Sequence, residues 1–265
     1  MKNNSYTALA QFYDRFNTGA DYKKTADCLK SVFDIYSFSP KLILDLACGT
    51  GNLTLELDSR RYDMIGLDLS ADMLNAAILK KRKNKDGSIL WLNQDMRGFE
   101  LYGTVDAVVC CFDSLNYLPE EDGLISCIKC VHNYLNPGGV FVFDVNTLYK
   151  FEYILGSNDI IIEKNGDFCI WRNSFSKRKS LAVYELDMFI KNKDGSYKKY
   201  SEQQSQRYYK LEYIIGILLN AGFESIKLFY DYNPEDICGA DDSDIKEFIK
   251  KHPKAERYYV ACRKK

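Results

Sequence analysis

Short β-rich runs alternate with longer helical patterns between residues 41 and 145, and this alternation constrains the fold more than any other feature of the chain. Strands separated by helical segments are typical of βαβ units, whose strands pair in parallel. The β-rich runs lie at 41–46, 62–67, 88–93, 105–111 and 140–145. The sequence therefore predicts an α/β fold with a doubly wound, mostly parallel sheet.

The pattern changes after residue 150. Between 160 and about 207, β-rich runs are broken by the turn-forming segments Lys164–Asp167 and Lys191–Gly195, which indicates antiparallel hairpins. Helical periodicity returns at 211–219, and strand patterns follow at 223–230 and 256–262. We therefore predict a seven-stranded sheet with a small antiparallel β insertion after strand five.

Composition and charge exclude several classes of protein. The 265 residues are 28% charged and 46% hydrophobic, as in soluble globular proteins, and no apolar run approaches the ~20 residues that span a bilayer. The first residues lack the features of a secretory signal, so we expect a cytoplasmic protein without membrane association. A formal net charge of −1 gives no general attraction to a phosphate backbone, which disfavours a nucleic-acid partner.

Nine cysteines are scattered through the predicted strands and helices, which favours reduced core residues over a disulfide framework. Cys127 and Cys130 form a C-x-x-C motif, but they lie inside a helical pattern and have no second motif to complete a zinc site. We expect no metal site.

A glycine-rich turn, Asp45–Gly51, follows the first predicted strand. Glycine lets a ligand approach the backbone closely and adopts positive φ without steric cost. Thr54 stands where a dinucleotide fingerprint has its third glycine, which disfavours a nicotinamide-dependent dehydrogenase. Asp68 ends the second strand, where a carboxylate can accept both ribose hydroxyls of an adenosine. The turn and this acid predict a site for an adenosine-containing cofactor.

Residues 40 to 145 resemble, in the right order, the class I S-adenosylmethionine-dependent methyltransferases. Residues 42–51 look like the first motif of that family, whose glycines approach the methionine part of the cofactor, and Asp68 matches its ribose-binding acid. Residues 93–97 are similar to the third motif, where an acid meets the adenine amino group and the next residue covers the ring. Residues 135–139 resemble the Leu-x-Pro-Gly-Gly turn before strand five.

The resemblance implies S-adenosyl-L-methionine as the cofactor and a Rossmann-like methyltransferase fold. Asp45 would either contact the cofactor directly or accept backbone N–H groups within the turn. The residues expected to bind the cofactor are Tyr13, Tyr22, Asp45, Ala47, Gly49, Gly51, Asp68, Leu69, Met73, Asp95, Met96, Cys111 and Phe112.

Residues 111–117 end the fourth strand, where doubly wound sheets place ligands. They depart from the Asn/Asp-Pro-Pro-Tyr/Phe motif of methyltransferases that act on nucleobase or glutamine amides, which makes those substrates less favoured. Residues 12–17, followed by Asp21 and Tyr22, resemble the Tyr-Asp lid of small-molecule methyltransferases, including those acting on amino sugars and glycine. Tyr13 and Tyr22 would close over the sulfonium by cation–π contact, or else serve as packing tyrosines.

The resemblance also implies a domain plan. Residues 1–150 and 208–265 would form the cofactor-binding domain, with a helical lid over about 1–38. Residues 151–207 would form the β insertion and act as a substrate lid or as a dimer surface, since aromatic residues are frequent in it and tyrosine and tryptophan are enriched at interfaces. A homodimer is therefore possible.

The predicted function is methyl transfer to a nitrogen or oxygen atom of a small-molecule acceptor. His132 and His252 fall in structural positions, so Tyr13, Asp113 and Tyr117 are the candidate proton acceptors or orienting groups. One alternative is an RNA-modifying methyltransferase, which would require the basic runs at 80–85 and 177–179 to converge beside the pocket. The other is a catalytically silent cofactor-binding module.

Overall fold

The protein is described by a computed structural model that covers residues 10, 12–17, 19–82, 88–156, 158–239 and 241–265. Its strands form two sheets. In chain order the strands are β1 (Leu42–Leu46), β2 (Asp63–Asp68), β3 (Leu90–Asn93), β4 (Val105–Cys110), β5 (Leu135–Asn146), β6 (Asp159–Lys164), β7 (Asp167–Ser176), β8 (Leu181–Lys191), β9 (Tyr197–Arg207), β10 (Phe223–Tyr230), β11 (Asn233–Cys238) and β12 (Arg257–Lys264).

Two of the described α-helices precede β1, and the others lie between strands. The α-helices are α1 (Tyr13–Phe16), α2 (Tyr22–Ile35), α3 (Asn52–Ser59), α4 (Ala71–Lys81), α5 (Glu121–Tyr134), α6 (Leu211–Asn220) and α7 (Asp242–Lys251). A 3₁₀ turn covers Ser114–Tyr117, and a π-helix covers Lys150–Leu155. As the sequence predicts, Ser70 caps α4, and its hydroxyl accepts the Met73 amide at 3.3 Å.

The first sheet has eight strands in the order β11-β10-β12-β5-β4-β1-β2-β3. Strands β1 to β5 pair in parallel, and β12, β10 and β11 pair antiparallel at one side. The predicted α/β fold with a mostly parallel sheet is confirmed. The sheet has one strand more than predicted. The additional strand is β11, whose sequence does not indicate a strand because it contains Pro234 and few apolar residues. Proline is tolerated there because β11 lies at the sheet edge.

Helices cover both faces of this sheet, as expected of a doubly wound fold. Val108 packs in the same core as residues of α5 and α6, whereas its neighbour Val109 packs with residues of α2 and α3. Both valines are fully buried. This alternation follows because successive side chains of a strand point to opposite faces of the sheet. Since helices cover both faces, ligands in such folds bind at the carboxyl ends of the strands.

Strands β6 to β9 form the second sheet, a four-stranded antiparallel meander. The predicted antiparallel insertion after strand five is thus present. One face of this sheet packs on the N-terminal segment and on the π-helix, in a core that includes Phe12, Phe16, Phe151 and Tyr184. These contacts hold the second sheet next to the carboxyl end of β5.

The segment predicted as a turn before strand five lies inside β5. Val105 pairs with Leu135, whereas Ala107 pairs with Val140, so β5 advances five residues while β4 advances two. The additional residues form a bulge in which Gly138 has a φ of 77°. The proline–glycine sequence marks the bulge rather than the end of the strand.

No helix in the described part of the chain is long and apolar enough to cross a membrane. No disulfide bond links the cysteines of the described residues. The described residues contain no group of three or more histidine, cysteine, aspartate or glutamate side chains arranged to hold a metal ion.

Candidate active site

A cavity of about 1580 Å³ lies at the carboxyl ends of β1, β2, β4 and β5 and extends beneath the second sheet. Such a volume exceeds that of typical single-ligand pockets, which reach roughly 1000 Å³, so a cofactor and an acceptor can occupy it together. Its walls include almost every residue predicted for the site. These are Tyr13, Tyr22, Asp45, Ala47, Gly49, Asp68, Leu69, Met73, Asp95, Met96, Cys111, Phe112, Asp113 and Tyr117.

Gly51 is the exception, since it does not line the cavity. It begins α3 with a φ of 74°, and a Cβ there would lie 2.7 Å from Trp91 and 2.8 Å from Ala77. Gly51 is thus required for packing and backbone geometry rather than for room beside a ligand. Gly49 differs, because its φ is 55° and a Cβ there would meet nothing within 4 Å.

Asp68 connects the glycine turn to the end of β2. One carboxylate oxygen accepts the Gly49 amide at 2.8 Å, and the other accepts the Ser70 amide at 2.8 Å. Burial raises the pKa of Asp68, while these amides lower it. A carboxylate has about four acceptor positions, so lone pairs remain for two further donors.

Asp45 is 2% exposed at the end of β1. It accepts the Thr54 hydroxyl at 2.5 Å. Burial raises the pKa of Asp45 to about 7. Thr54 therefore has a function that the sequence analysis missed: it holds the Asp45 side chain in place.

Asp95 and Met96 follow β3, as predicted, and Arg97 accompanies them. The Arg97 Nε contacts the two Asp95 oxygens at 2.9 and 3.0 Å, and this hydrogen bonding lowers the pKa of Asp95. Asp95 therefore reaches the cavity as one half of an ion pair, which the motif did not predict.

The N-terminal segment closes one side of the cavity. Asp14 accepts the Thr50 hydroxyl and the Asn52 amide at 2.7 Å each, and it pairs with Lys80 at 2.5 Å. The Lys80 ammonium also donates to the Thr50 carbonyl at 2.9 Å. In the opposite direction Arg15 pairs with Asp167 of β7. The segment thus bridges the glycine turn and the second sheet.

The two predicted lid tyrosines both line the cavity. The Tyr22 ring contacts the Phe112 ring edge-on, with 5.1 Å between centroids. Burial raises the pKa of Tyr13 well above its ordinary value, and the nearby Tyr22 adds to this effect. Tyr13 therefore stays protonated at neutral pH.

The end of β4 is held by a buried carboxylate that the sequence analysis missed. Asp144 of β5 accepts the amides of Phe112 and Asp113 at 2.6 and 2.8 Å. These two residues have φ values of 61° and 55°, a conformation that non-glycine residues rarely adopt. Arg257 of β12 pairs with both Asp144 and Asp113, and its Nε lies 3.0 Å from Asp144.

Amides of the second sheet continue this network. Gln206 donates its side-chain nitrogen to Asp113 at 2.5 Å, and its oxygen accepts from Tyr184 at 2.9 Å and from Asn146 at 3.0 Å. Because the nitrogen of the Gln206 amide donates to Asp113, its oxygen faces Tyr184 and Asn146, which fixes the orientation of the amide. Tyr117 donates to Gln204 at 3.1 Å.

Residues 43–139 match the family described as "Methyltransferase domain". The protein YqeM of Bacillus subtilis (strain 168), named as a methyltransferase, is 30% identical over 231 residues, which are 86% of this chain and 90% of YqeM. The crystal structure of a S-adenosylmethionine-dependent methyltransferase from Clostridium acetobutylicum ATCC 824 matches with a TM-score of 0.81 and 29% identity, over 98% of both chains. This chain belongs to the S-adenosylmethionine-dependent methyltransferase family.

A second relative matches only part of this methyltransferase. The dTDP-3-amino-3,6-dideoxy-alpha-D-glucopyranose N,N-dimethyltransferase of Streptomyces fradiae is 33% identical over 138 residues, which are 51% of this chain and 52% of that enzyme. The resemblance thus covers about half of each chain.

The residues of the cavity fit S-adenosylmethionine, the cofactor of the methyltransferase family. The open space at Gly49 admits a ligand against the backbone, and Asp68 keeps acceptor positions suited to ribose hydroxyls. The buried Asp45 carboxylate, whose partner is a neutral hydroxyl, suits a ligand that carries positive charge.

Proposed function

We propose that this methyltransferase transfers a methyl group from S-adenosylmethionine to a nitrogen or oxygen atom of a small-molecule acceptor. The main support is that the second sheet covers the part of the cavity that extends beneath it, which we call the acceptor end. The second sheet contributes Trp171, Tyr184, Gln204 and Gln206 to the wall. An acceptor must therefore fit between the two sheets, which favours a small molecule over a folded nucleic acid.

Two further observations support a small-molecule acceptor. The Streptomyces fradiae relative is named for an amino-sugar nucleotide substrate. The basic runs offer little free charge to RNA. Neither Lys80–Arg82 nor Lys177–Lys179 lines the cavity, and Lys80, Lys81 and Lys177 pair with Asp14, Asp58 and Glu152. Residues 83–85 of the first basic run lie outside the described residues.

We propose that the predicted cofactor residues that line the cavity, which are all of them except Gly51, bind S-adenosylmethionine. Asp68 would bind the ribose hydroxyls, while Asp95 and Met96 would contact the adenine. The turn at Ala47–Gly49 and the Asp45 carboxylate would face the methionine part. The rest of the wall around the cofactor would be formed by Tyr13, Tyr22, Leu69, Met73, Cys111 and Phe112.

The bound cofactor supplies an electrophilic methyl group on a sulfonium. Attack on it is an in-line displacement, so the enzyme contributes mainly alignment and exclusion of water. Asp113 already accepts from Arg257 and Gln206, which suits it to orientation rather than to proton removal. Tyr13 and Tyr117 would orient the acceptor as hydroxyl groups. An unprotonated amine, which needs no proton removal before attack, is the favoured nucleophile.

The test is a transfer assay with S-adenosylmethionine labelled in its methyl group. The purified enzyme is incubated in parallel with a small-metabolite extract and with RNA, and the products are separated by size. Label in the small-molecule fraction supports the proposal. Label in RNA would favour the RNA-modifying alternative, and cofactor binding without transfer to either would favour the silent module. The possible homodimer stays a prediction that sedimentation would test.

A further inference from the structure

The two ends of the cavity differ in charge. The proposed cofactor end is lined by Asp45, by Asp68 and by Asp95 with its partner Arg97, so its acids outnumber its cations. The other end is lined by Lys150 and by the segment Lys251–Arg257, which includes three cations and one acid, together with Asp113 and Asp231. Its cations thus outnumber its acids by one. Arg257 pairs with Asp113 and Asp144, so its charge is compensated within the protein.

Lys150 differs from Arg257 in having no such partner. It begins the π-helix four positions after the end of β5 and lines the cavity. Among the described residues, no carboxylate forms an ion pair with its ammonium group. Burial lowers the pKa of Lys150, and Arg257 lowers it further, while Asp113, Glu256 and Asp144 raise it. Lys150 is partly buried and makes no direct ion pair with a described residue, so it carries a desolvation cost that an anionic ligand would offset.

A second donor with unused capacity lines the same cavity. The indole nitrogen of Trp171, in β7, is buried and has no hydrogen-bond partner among the described residues. The ring is held edge-on against Tyr184, with 5.6 Å between centroids. The helix of Lys150 packs on β7, where the Phe151 and Phe175 rings stack at 5.3 Å. The two donors thus belong to adjoining elements.

We propose that Lys150 and Trp171 form a subsite for an anionic oxygen group, either a carboxylate or a phosphate, carried by the methyl acceptor. Lysine ammonium and indole N–H are donors only, so a ligand group that serves both must be an acceptor, and the charge of Lys150 favours an anion. This inference rests on the proposed function, since it assigns the acceptor end of the cavity to a small molecule.

The test is calorimetric titration of the enzyme, saturated with S-adenosylhomocysteine, with inorganic phosphate and separately with acetate at constant ionic strength. The wild type is expected to bind at least one of them: phosphate alone indicates a phosphorylated acceptor, and acetate alone indicates a carboxylate. Lys150→Met should weaken that binding at least about tenfold, and Trp171→Phe, which keeps an aromatic ring but removes the N–H, by roughly fivefold. Lys150→Arg should retain it.

Lys129→Met, on the exposed side of α5, is the matched control and should bind like the wild type. Absence of binding to either anion by the wild type would overturn the subsite, as would equal binding by the wild type and Lys150→Met. S-adenosylhomocysteine affinity, measured for every variant, reports on folding. Failure of the small-molecule proposal would appear separately, as label transferred to RNA or not transferred at all.

Discussion

At the scale of single residues, Asp68 links the backbone of the glycine turn to the proposed ribose site. Asp68→Asn replaces one oxygen by a donor that would oppose the amide of Gly49 or Ser70. We expect the dissociation constant for S-adenosylhomocysteine to rise about 10- to 100-fold by calorimetry, as for the loss of a charge-assisted hydrogen bond. Asp72→Asn, an exposed acid in the first turn of α4, is the control. An unchanged affinity of Asp68→Asn would remove Asp68 from the site.

We expect Asp45 to make cofactor affinity depend on pH. In the ligand-free protein burial raises the pKa of Asp45 to about 7, from an ordinary value of 3.8. The folded state therefore holds a proton between these values that the unfolded chain has released, and the contribution of Asp45 to stability is lost as the pH rises through 7. A cationic ligand favours the carboxylate, so the affinity for S-adenosylmethionine should rise between about pH 6 and pH 8.

Calorimetry across this range, in buffers of different ionisation enthalpy, measures both the affinity and the proton released. Asp45→Asn should remove most of the pH dependence, because its amide does not titrate. S-adenosylhomocysteine lacks the sulfonium charge and should show a shallower slope with the wild type. Equal slopes for the wild type and Asp45→Asn would show that another group titrates.

At the scale of elements, the N-terminal segment is held on the glycine turn by Asp14 and Lys80. Lys80→Met removes the ion pair and the bond to the Thr50 carbonyl while keeping an aliphatic side chain on α4. We expect faster dissociation of S-adenosylhomocysteine, by roughly threefold to tenfold in stopped-flow displacement, because the cover of the site opens more often. Association should change less.

Lys30→Met is the control for this variant. It removes an exposed ion pair with Asp34 in α2, at a position that does not line the cavity. Asp14→Asn should reproduce the effect of Lys80→Met, and the double variant should add little to either single variant, since both act on one contact. Independent, additive effects would contradict the proposed contact.

The helices and strands were predictable where the signal is local. The run of apolar residues before Asp45 and the cap at Ser70 each specify an element within a few positions. Strand β11 was missed, since its pairing at the sheet edge depends on β10 rather than on its own composition. At the bulge in β5 the sequence predicts a turn, because proline and glycine favour both structures.

At the scale of the whole molecule, the cofactor motifs lie close together in sequence, whereas the acceptor end is assembled from distant segments. Arg257 and Gln206 meet Asp113 across 144 and 93 positions of the chain. Neither residue belongs to a short motif, so only the order of strands and the position of the second sheet bring them to the site. The sequence therefore predicts the cofactor end of the cavity better than the acceptor end.

Arg257 also links distant parts of the molecule, and its loss should reduce the stability of the whole fold. Burial alone would lower the pKa of Arg257, but Asp144 and Asp113 raise it well above its ordinary value. Arg257→Met leaves both carboxylates without their cation, and breaking such a buried pair costs about 3–5 kcal/mol of unfolding free energy. Urea denaturation followed by tryptophan fluorescence measures this change.

The loss should be smaller at acid pH. Burial raises the pKa of Asp144, so the folded state of Arg257→Met takes up a proton more readily than the unfolded chain, and stability is recovered as the pH falls through that raised pKa. The double variant Arg257→Met/Asp113→Asn should be more stable than Arg257→Met at pH 8, because it has one uncompensated carboxylate fewer and its amide oxygen can still accept from Gln206. Arg60→Met, which removes ion pairs at the surface, should change stability far less. If the two arginine variants lose equal stability, the buried cluster does not support the fold in the way its contacts imply.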